Sequence, residues 1–287
     1  MQKKELIKFD DTTIIAIRNF IAKLKETPTY SDYFLRNIIL RENVFDILES
    51  CCTAIYYPLP DEENDGFHIS YPVKYQDSPA QFVYLNTAKP IEKLVFAAGH
   101  ELGHIWKVDQ VVASIIQTAI PAEDLMNRFS AELLMPEEVF KPFAEQLLEQ
   151  KVDRLQDNLF LNLLGVSAVL MNEFCVPFQA VVRRLWECGQ IGENTVNLLL
   201  FGPETMPDGV YSSFLEDFLR LCKENDGYGR IGIITEKKSI PGFAQLLQDA
   251  ENSHKISPLQ IAELRKQFDI KGSIKGAENF KDILKEL

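Results

Sequence analysis

The feature that most constrains the fold is the segment from His100 to His104, which reads His-Glu-Leu-Gly-His. In an α-helix, residues i and i+4 lie one above the other on the same face, so both imidazoles can reach one metal ion. The motif therefore predicts a helix, and the apolar spacing from Ile91 to Val108 agrees with it. Glu101 is placed to act on a water molecule at the metal rather than to bind the metal. The pattern is typical of a zinc metalloprotease.

The third metal ligand has to come from elsewhere in the chain, because a catalytic zinc site has three protein ligands and one open position. A metzincin-type site would need a histidine where Gln110 stands, so that subclass is excluded. The downstream carboxylates are Asp109, Glu123, Asp124, Glu132, Glu137 and Glu138. Glu123 leaves enough chain for a turn and a returning helix. Asn127 shares its helical face and is a candidate hydrogen-bond partner of a ligand.

Both residues also have a simpler interpretation. A carboxylate such as Glu123 is favoured in the first turn of any helix by the helix dipole. Asn127 can equally be a plain surface residue. The spacing alone leaves these alternatives open.

Composition excludes several classes of protein. The chain has 287 residues, enough for one large domain or two smaller ones. Its 5 cysteines form no Cys-x-x-Cys pair, so neither a disulfide framework nor a thiolate zinc cluster is indicated, and we expect a cytoplasmic protein with reduced thiols. No apolar run is long enough for a membrane span. The net charge of -12 disfavours nucleic-acid binding over most of the surface.

The residue patterns along the sequence divide the chain into three parts. Residues 1–40 are predicted to form an N-terminal helical extension. Residues 41–200 contain three β-rich runs between Thr53 and Asn86, separated by turn-rich clusters, and then mainly helices after Pro90. This order predicts an α+β, zincin-like domain with a small antiparallel sheet, followed by a mostly helical part. Residues 205–287 are predicted to be an α-rich region of unknown role, after a linker from Phe201 to Gly209, with a short strand from Gly229 to Thr235.

Two further segments carry functional hypotheses. Val83, Tyr84 and Leu85 lie in the predicted strand before the motif helix, and such a strand can hold an extended substrate by strand addition. His68 and Tyr84 are both candidates for the group that stabilises the oxyanion, and sequence gives no basis for choosing between them. Residues 169–189 have a helix-turn-helix-like pattern. Because its second helix offers only Arg183 and Arg184 as cations, a packing role is favoured over DNA binding.

Two long segments together resemble a known family. The first is Phe96 to His104, and the second is Glu123 to Pro136, with Leu133-Leu134-Met135-Pro136 at its end. They resemble the ImmA/IrrE family of bacterial metallopeptidases, in which the first Glu of the downstream segment is the third zinc ligand. The resemblance therefore implies that role for Glu123. Met126 and Ser130 stand where the family usually has Ala. The resemblance also covers 82–86, the strand before the motif helix, and extends more weakly to 174–185, but not to 1–40 or 205–287.

The resemblance also implies a function. It implies a zinc-dependent endopeptidase that cleaves a repressor-type transcription regulator, a helix-turn-helix protein, and so relieves repression. Glu101 would then be the general base. Two alternatives remain: a metal-bound regulatory protein that binds a partner without cleaving it, and a DNA-binding regulator. An intact Glu101 weighs against the first, and the acidic charge of the chain weighs against the second.

Overall fold

The computed structural model describes residues 6–60, 63–72, 80–116, 120–152, 159–203, 208–224, 228–268 and 270. The strands are β1 (Thr53–Tyr57), β2 (Gly66–Tyr71) and β3 (Ala80–Asn86). The helices before the sheet are α1 (Asp11–Glu26), α2 (Pro28–Arg36) and α3 (Val44–Cys51). Those after it are α4 (Ile91–Ile105), α5 (Val108–Ala113), α6 (Ala122–Leu134), α7 (Glu137–Val152), α8 (Leu159–Phe174), α9 (Phe178–Glu187), α10 (Glu193–Phe201), α11 (Asp208–Lys223), α12 (Phe243–Asn252) and α13 (Pro258–Gln267). The predicted α+β class, with a helical C-terminal part, is confirmed.

The three strands form a mixed sheet in the order β1-β3-β2. Only the β2–β3 pair is antiparallel, as predicted for the whole sheet; β1 runs parallel to β3. The segment after β1 begins Pro58-Leu59-Pro60, which does not suit a tight two-residue hairpin. The segment after β1 places β2 one strand position away from β1, and β3 lies between the two. Turn composition predicts where strands end but not which neighbour each one takes.

One face of the sheet packs against α4. Strand alternation places Ala54, Tyr56, Val83 and Leu85 on this inner face, and each is at most 4 % exposed. The same hydrophobic core includes buried residues of α1, among them Ile17. The N-terminal helix therefore contributes to the core that supports the motif helix.

Helices α4 and α6 approach closely because α4 has glycines where they meet. A Cβ on Gly99 would lie 2.6 Å from Ser130 Oγ, and one on Gly103 would lie 2.5 Å from Met126 Sδ. The two residues at which the sequence departs from the family pattern thus face the two glycines of the motif helix. The side chains at 126 and 130 fill the space that the glycines leave.

The C-terminal region is tied to the sheet and to the motif helix by residues 230–239, which we call the strap. Ser239 pairs with Tyr56 of β1 through two backbone hydrogen bonds of 2.9 Å. Ile233 O accepts a 2.7 Å hydrogen bond from Ile91 N at the start of α4. The predicted strand from Gly229 to Thr235 is wrong, because turns occupy 229–232 and Ile233 bonds to a helix start rather than to a ladder. The predicted linker lies partly outside the described residues, at 204–207.

Helices α8 and α9 form the predicted helix-turn-helix-like pair, with 104° between them. Arg184 of α9 is not the exposed cation that the sequence suggested: it is fully buried and bonds to Glu132 at 2.8 and 3.0 Å and to Met135 O at 2.9 Å. This geometry supports a packing role for α9. Among the described residues, no single helix is long and apolar enough to cross a membrane, and α8 and α9 reach that length only as a bent pair.

Candidate metal centre

His100, His104 and Glu123 meet at one point between α4 and α6. Their candidate ligand atoms all lie within 4.8 Å of one another. His100 Nε2 is 3.1 Å from Glu123 Oε2 and 3.2 Å from His104 Nε2, and His104 Nε2 is 3.5 Å from Glu123 Oε1. Two imidazole nitrogens and one carboxylate are a donor set typical of catalytic zinc. The residues present therefore fit a zinc ion.

The local fold explains how a distant carboxylate reaches the histidines. Helix α4 ends at Ile105, and Lys107, with a left-handed φ of 53°, turns the chain into α5. Helix α6 then returns along α4 with Glu123 in its first turn. The Glu123 side chain is 71 % exposed, whereas that of His100 is 14 % exposed. The site is therefore open to solvent on the Glu123 side, where a substrate can approach.

Asn127 contacts the first histidine of the motif. Its Oδ1 lies 3.0 Å from His100 Nδ1, so that in the neutral ring Nδ1–H donates to the amide oxygen and Nε2 keeps its lone pair. Nε2 is the nitrogen that faces His104 and Glu123. Asn127 lies one helical turn after Glu123, and its role as the hydrogen-bond partner of a metal ligand stays a prediction.

Burial shifts the pKa values of two groups at the site. It raises the pKa of the Glu101 carboxyl to about 7, and the negative charge of Glu123 adds to this effect. Burial lowers the pKa of His104, with a further contribution from His100. The neutral form of His104 is the form that binds metal. A carboxyl with a pKa near neutrality suits a general base.

His68 of β2 is next to the metal centre. Its ring stacks on that of His104 at 6.2 Å between centroids and 11° between planes, and its Nε2 contacts Gln81 Oε1. The sequence alone did not identify Gln81 as a residue near the site. The strand register does, because His68 pairs with the inward-facing Val83. Gln81 lies two residues before Val83 and therefore faces the same side of the sheet. Tyr84 points to the opposite face, where its hydroxyl donates to Tyr57 O.

The predicted substrate-binding strand is corrected by the topology. Val83, Tyr84 and Leu85 belong to β3, which is hydrogen-bonded to β1 on one side and to β2 on the other. A central strand has no free edge at which a peptide can add. The sequence order placed β3 next to the motif helix, but only the strand order shows that it is central.

A comparison with protein families found a match that covers the sheet and both site helices. Residues 52–185 match the family model Peptidase_M78, described as the IrrE N-terminal-like domain. This range includes the sheet, the motif helix and all three candidate ligands. No curated protein and no solved structure matches the chain.

Proposed function

The chain belongs to the Peptidase_M78 family of IrrE N-terminal-like metallopeptidases, and on this basis we propose that it is a zinc-dependent endopeptidase. The metal ligands are His100, His104 and Glu123. The observation that carries the proposal is the convergence of these three donors within 4.8 Å. They come from two helices, and the 3.0 Å contact of Asn127 Oδ1 with His100 Nδ1 supports the proposal, since it leaves His100 Nε2 free for a metal.

The reaction assigns separate roles to neighbouring residues. Zinc bound at this site supplies a Lewis acid for the scissile carbonyl and a nucleophilic water at neutral pH. Glu101 accepts a proton from the attacking water and returns it to the leaving amine. A partner-binding protein without catalysis has no need of such a base. For this reason we favour proteolysis over metal-dependent binding alone.

The substrate binds as an extended strand at the edge of β2. The β1 edge is covered by the strap through Ser239, and β3 is central. In the described part of the chain, β2 pairs with β3 alone. It also carries His68, which stacks on His104. A peptide added to this edge lies beside the candidate metal centre. It is held by main-chain hydrogen bonds, which do not depend on the side chains of the peptide.

The proposed substrate is a helix-turn-helix repressor, whose cleavage relieves repression. This part of the proposal is supported by the resemblance to the ImmA/IrrE family. The reaction takes place in the cytoplasm, in keeping with the free thiols of Cys51, Cys52, Cys175, Cys188 and Cys222. Direct binding of DNA by this chain is not part of the proposal, since Arg184 is buried in an ion-pair network.

Metal content and turnover test the proposal separately. The purified wild-type protein should contain one zinc per chain, and His100→Ala should lose it. His254→Ala is the matched control, because His254 is an exposed residue outside the site. Metal content is measured by elemental analysis after dialysis. Equal zinc in wild type and His100→Ala would refute the ligand assignment.

Co-expression with candidate helix-turn-helix repressors tests the reaction. The wild type should cleave its target, whereas Glu101→Gln should keep its zinc and leave the target intact. Cleavage products are detected by immunoblot and located by mass spectrometry. Equal cleavage by Glu101→Gln would show that another protease acts, and the role of Glu101 would have to be abandoned.

A further inference from the structure

A second recess lies away from the metal centre, between the peptidase domain and the C-terminal region. Its volume is about 590 Å³, and its walls come from the start of α4, from α8 and α9, from α11 and from the strap. Pockets that bind small molecules commonly have volumes of about 300–1,000 Å³. The recess is therefore large enough to take a small ligand.

Its inner wall is apolar. Met171, Phe178 and Ile231 line it and are each at most 3 % exposed. Leu215 and Leu219 of α11 continue this surface towards the opening. Side chains of this kind have no hydrogen-bonding groups to offer, so the inner wall suits an aliphatic group.

The rim, in contrast, is charged. Lys93, Arg220 and Lys223 contribute three cations, whereas Glu92 and Glu216 contribute two acids. The Glu92 carboxylate accepts hydrogen bonds from Gly232 N at 3.1 and 3.2 Å and lies inside the protein. Lys93 makes no ion pair with any described residue. Arg220 pairs with Asp217 at 2.6 Å and Lys223 donates to Gly232 O at 2.8 Å, so Lys93 is the rim cation that remains to bind an anionic head group.

We propose that this recess binds a free medium-chain carboxylic acid, with the aliphatic chain on Met171, Phe178 and Ile231 and the carboxylate at the rim near Lys93. The apolar wall supplies hydrophobic contact, and the positive charge of Lys93 selects the sign of the head group. The site is separate from the metal centre and does not depend on proteolytic activity.

The position of the site connects it to the motif helix. Lys93 lies in the first turn of α4, the helix that carries His100 and His104 further along. Gly232, at the wall of the recess, belongs to the strap, and the next residue, Ile233, accepts a hydrogen bond from Ile91 N. A bound acid contacts both α4 and the strap, so it stabilises the attachment of the C-terminal region to the start of the motif helix.

Direct binding measurements on the full chain test the proposal. Decanoate, kept below its micelle concentration, should bind with one site per chain in isothermal titration calorimetry, in buffer that contains a chelator. Decylammonium has the same chain length but a positive head group, and it should bind about tenfold more weakly or not at all. Decanoate should also slow amide hydrogen exchange across the strap.

Two variants of α11 locate the site. Leu219→Glu places a carboxylate in the wall of the recess and should weaken decanoate binding at least about tenfold, because the charge opposes both the chain and the head group. Leu221→Glu is the matched control: Leu221 is 58 % exposed on the same helix and does not line the recess. Circular dichroism checks that both variants fold. Absence of decanoate binding, equal binding of decylammonium, or equal binding by both variants would overturn the proposal.

Discussion

The contact between α4 and α6 makes a sharp prediction about Gly99, the residue before the first histidine. In Gly99→Ala, the new Cβ would lie 2.6 Å from Ser130 Oγ and 3.2 Å from Leu134 Cδ1. The Ser130 hydroxyl cannot easily withdraw, because it is fully buried and donates a 2.9 Å hydrogen bond to Phe96 O. The two helices would have to separate locally.

The size of the effect follows from two opposing terms. Overpacking a filled core costs about 1–3 kcal/mol, and the short distance to Ser130 Oγ places this case in the upper half of that range. Alanine is better than glycine in a helix interior by about 1 kcal/mol. We therefore expect Gly99→Ala to lower the free energy of unfolding by about 1–2 kcal/mol.

A double-mutant cycle in urea identifies the cause. Ser130→Ala removes Oγ, and the remaining Cβ of residue 130 lies 3.4 Å from the Cβ that Gly99→Ala introduces, an ordinary contact. Ser130→Ala alone should cost about 1 kcal/mol through its lost hydrogen bond. The double variant should be no less stable than Ser130→Ala. Additive losses, or a Gly99→Ala variant as stable as wild type, would refute the proposed steric contact.

Three further predictions concern other parts of the structure. Arg184→Met should lower the free energy of unfolding by about 1.5–3 kcal/mol in urea, because buried Glu132 loses its hydrogen bonds to Arg184 but keeps its other two arginine partners. Arg183→Met, on the half-buried neighbour, should change it little; equal losses would contradict this. Asn127→Leu should weaken zinc binding about 10–100-fold in a competition titration, by releasing the ring of the first histidine; unchanged affinity would argue against its orienting role. Ser239→Pro should speed hydrogen exchange in β1, while Ser239→Ala, which keeps the N–H, should not; identical exchange in the two variants would mean that the strap does not protect β1.

The motif helix could be predicted because it is encoded within a few residues. His100 and His104 need only the helical repeat to share a face. Predicting that Glu123 meets the two histidines required more information. The length of the connection and a helical wheel made Glu123 the best candidate, and the family resemblance selected it. Local sequence is sufficient where the interacting residues are neighbours.

Strand order, the strap and the contact of His68 could not be predicted in this way. The parallel pairing of β1 with β3 depends on where β2 lies, and no residue within β1 encodes it. Ser239 is far from Tyr56 in sequence, and its contribution is a backbone pair that leaves no pattern in side chains. His68 reaches His104 because of the β2–β3 register, which a one-residue shift would reverse.

The candidate metal centre is held by packing on which the ligands themselves have little influence. Glu123 is largely exposed and lies at the free end of α6, so it adds little burial of its own. The other end of α6 is fixed by Glu132, which bonds to Arg184, Arg128 and Arg18. Between these ends, the helix is seated against the glycines of α4. Because the helices are positioned by contacts remote from the ligand atoms, the donors can converge at the site while Glu123 stays open to an incoming substrate.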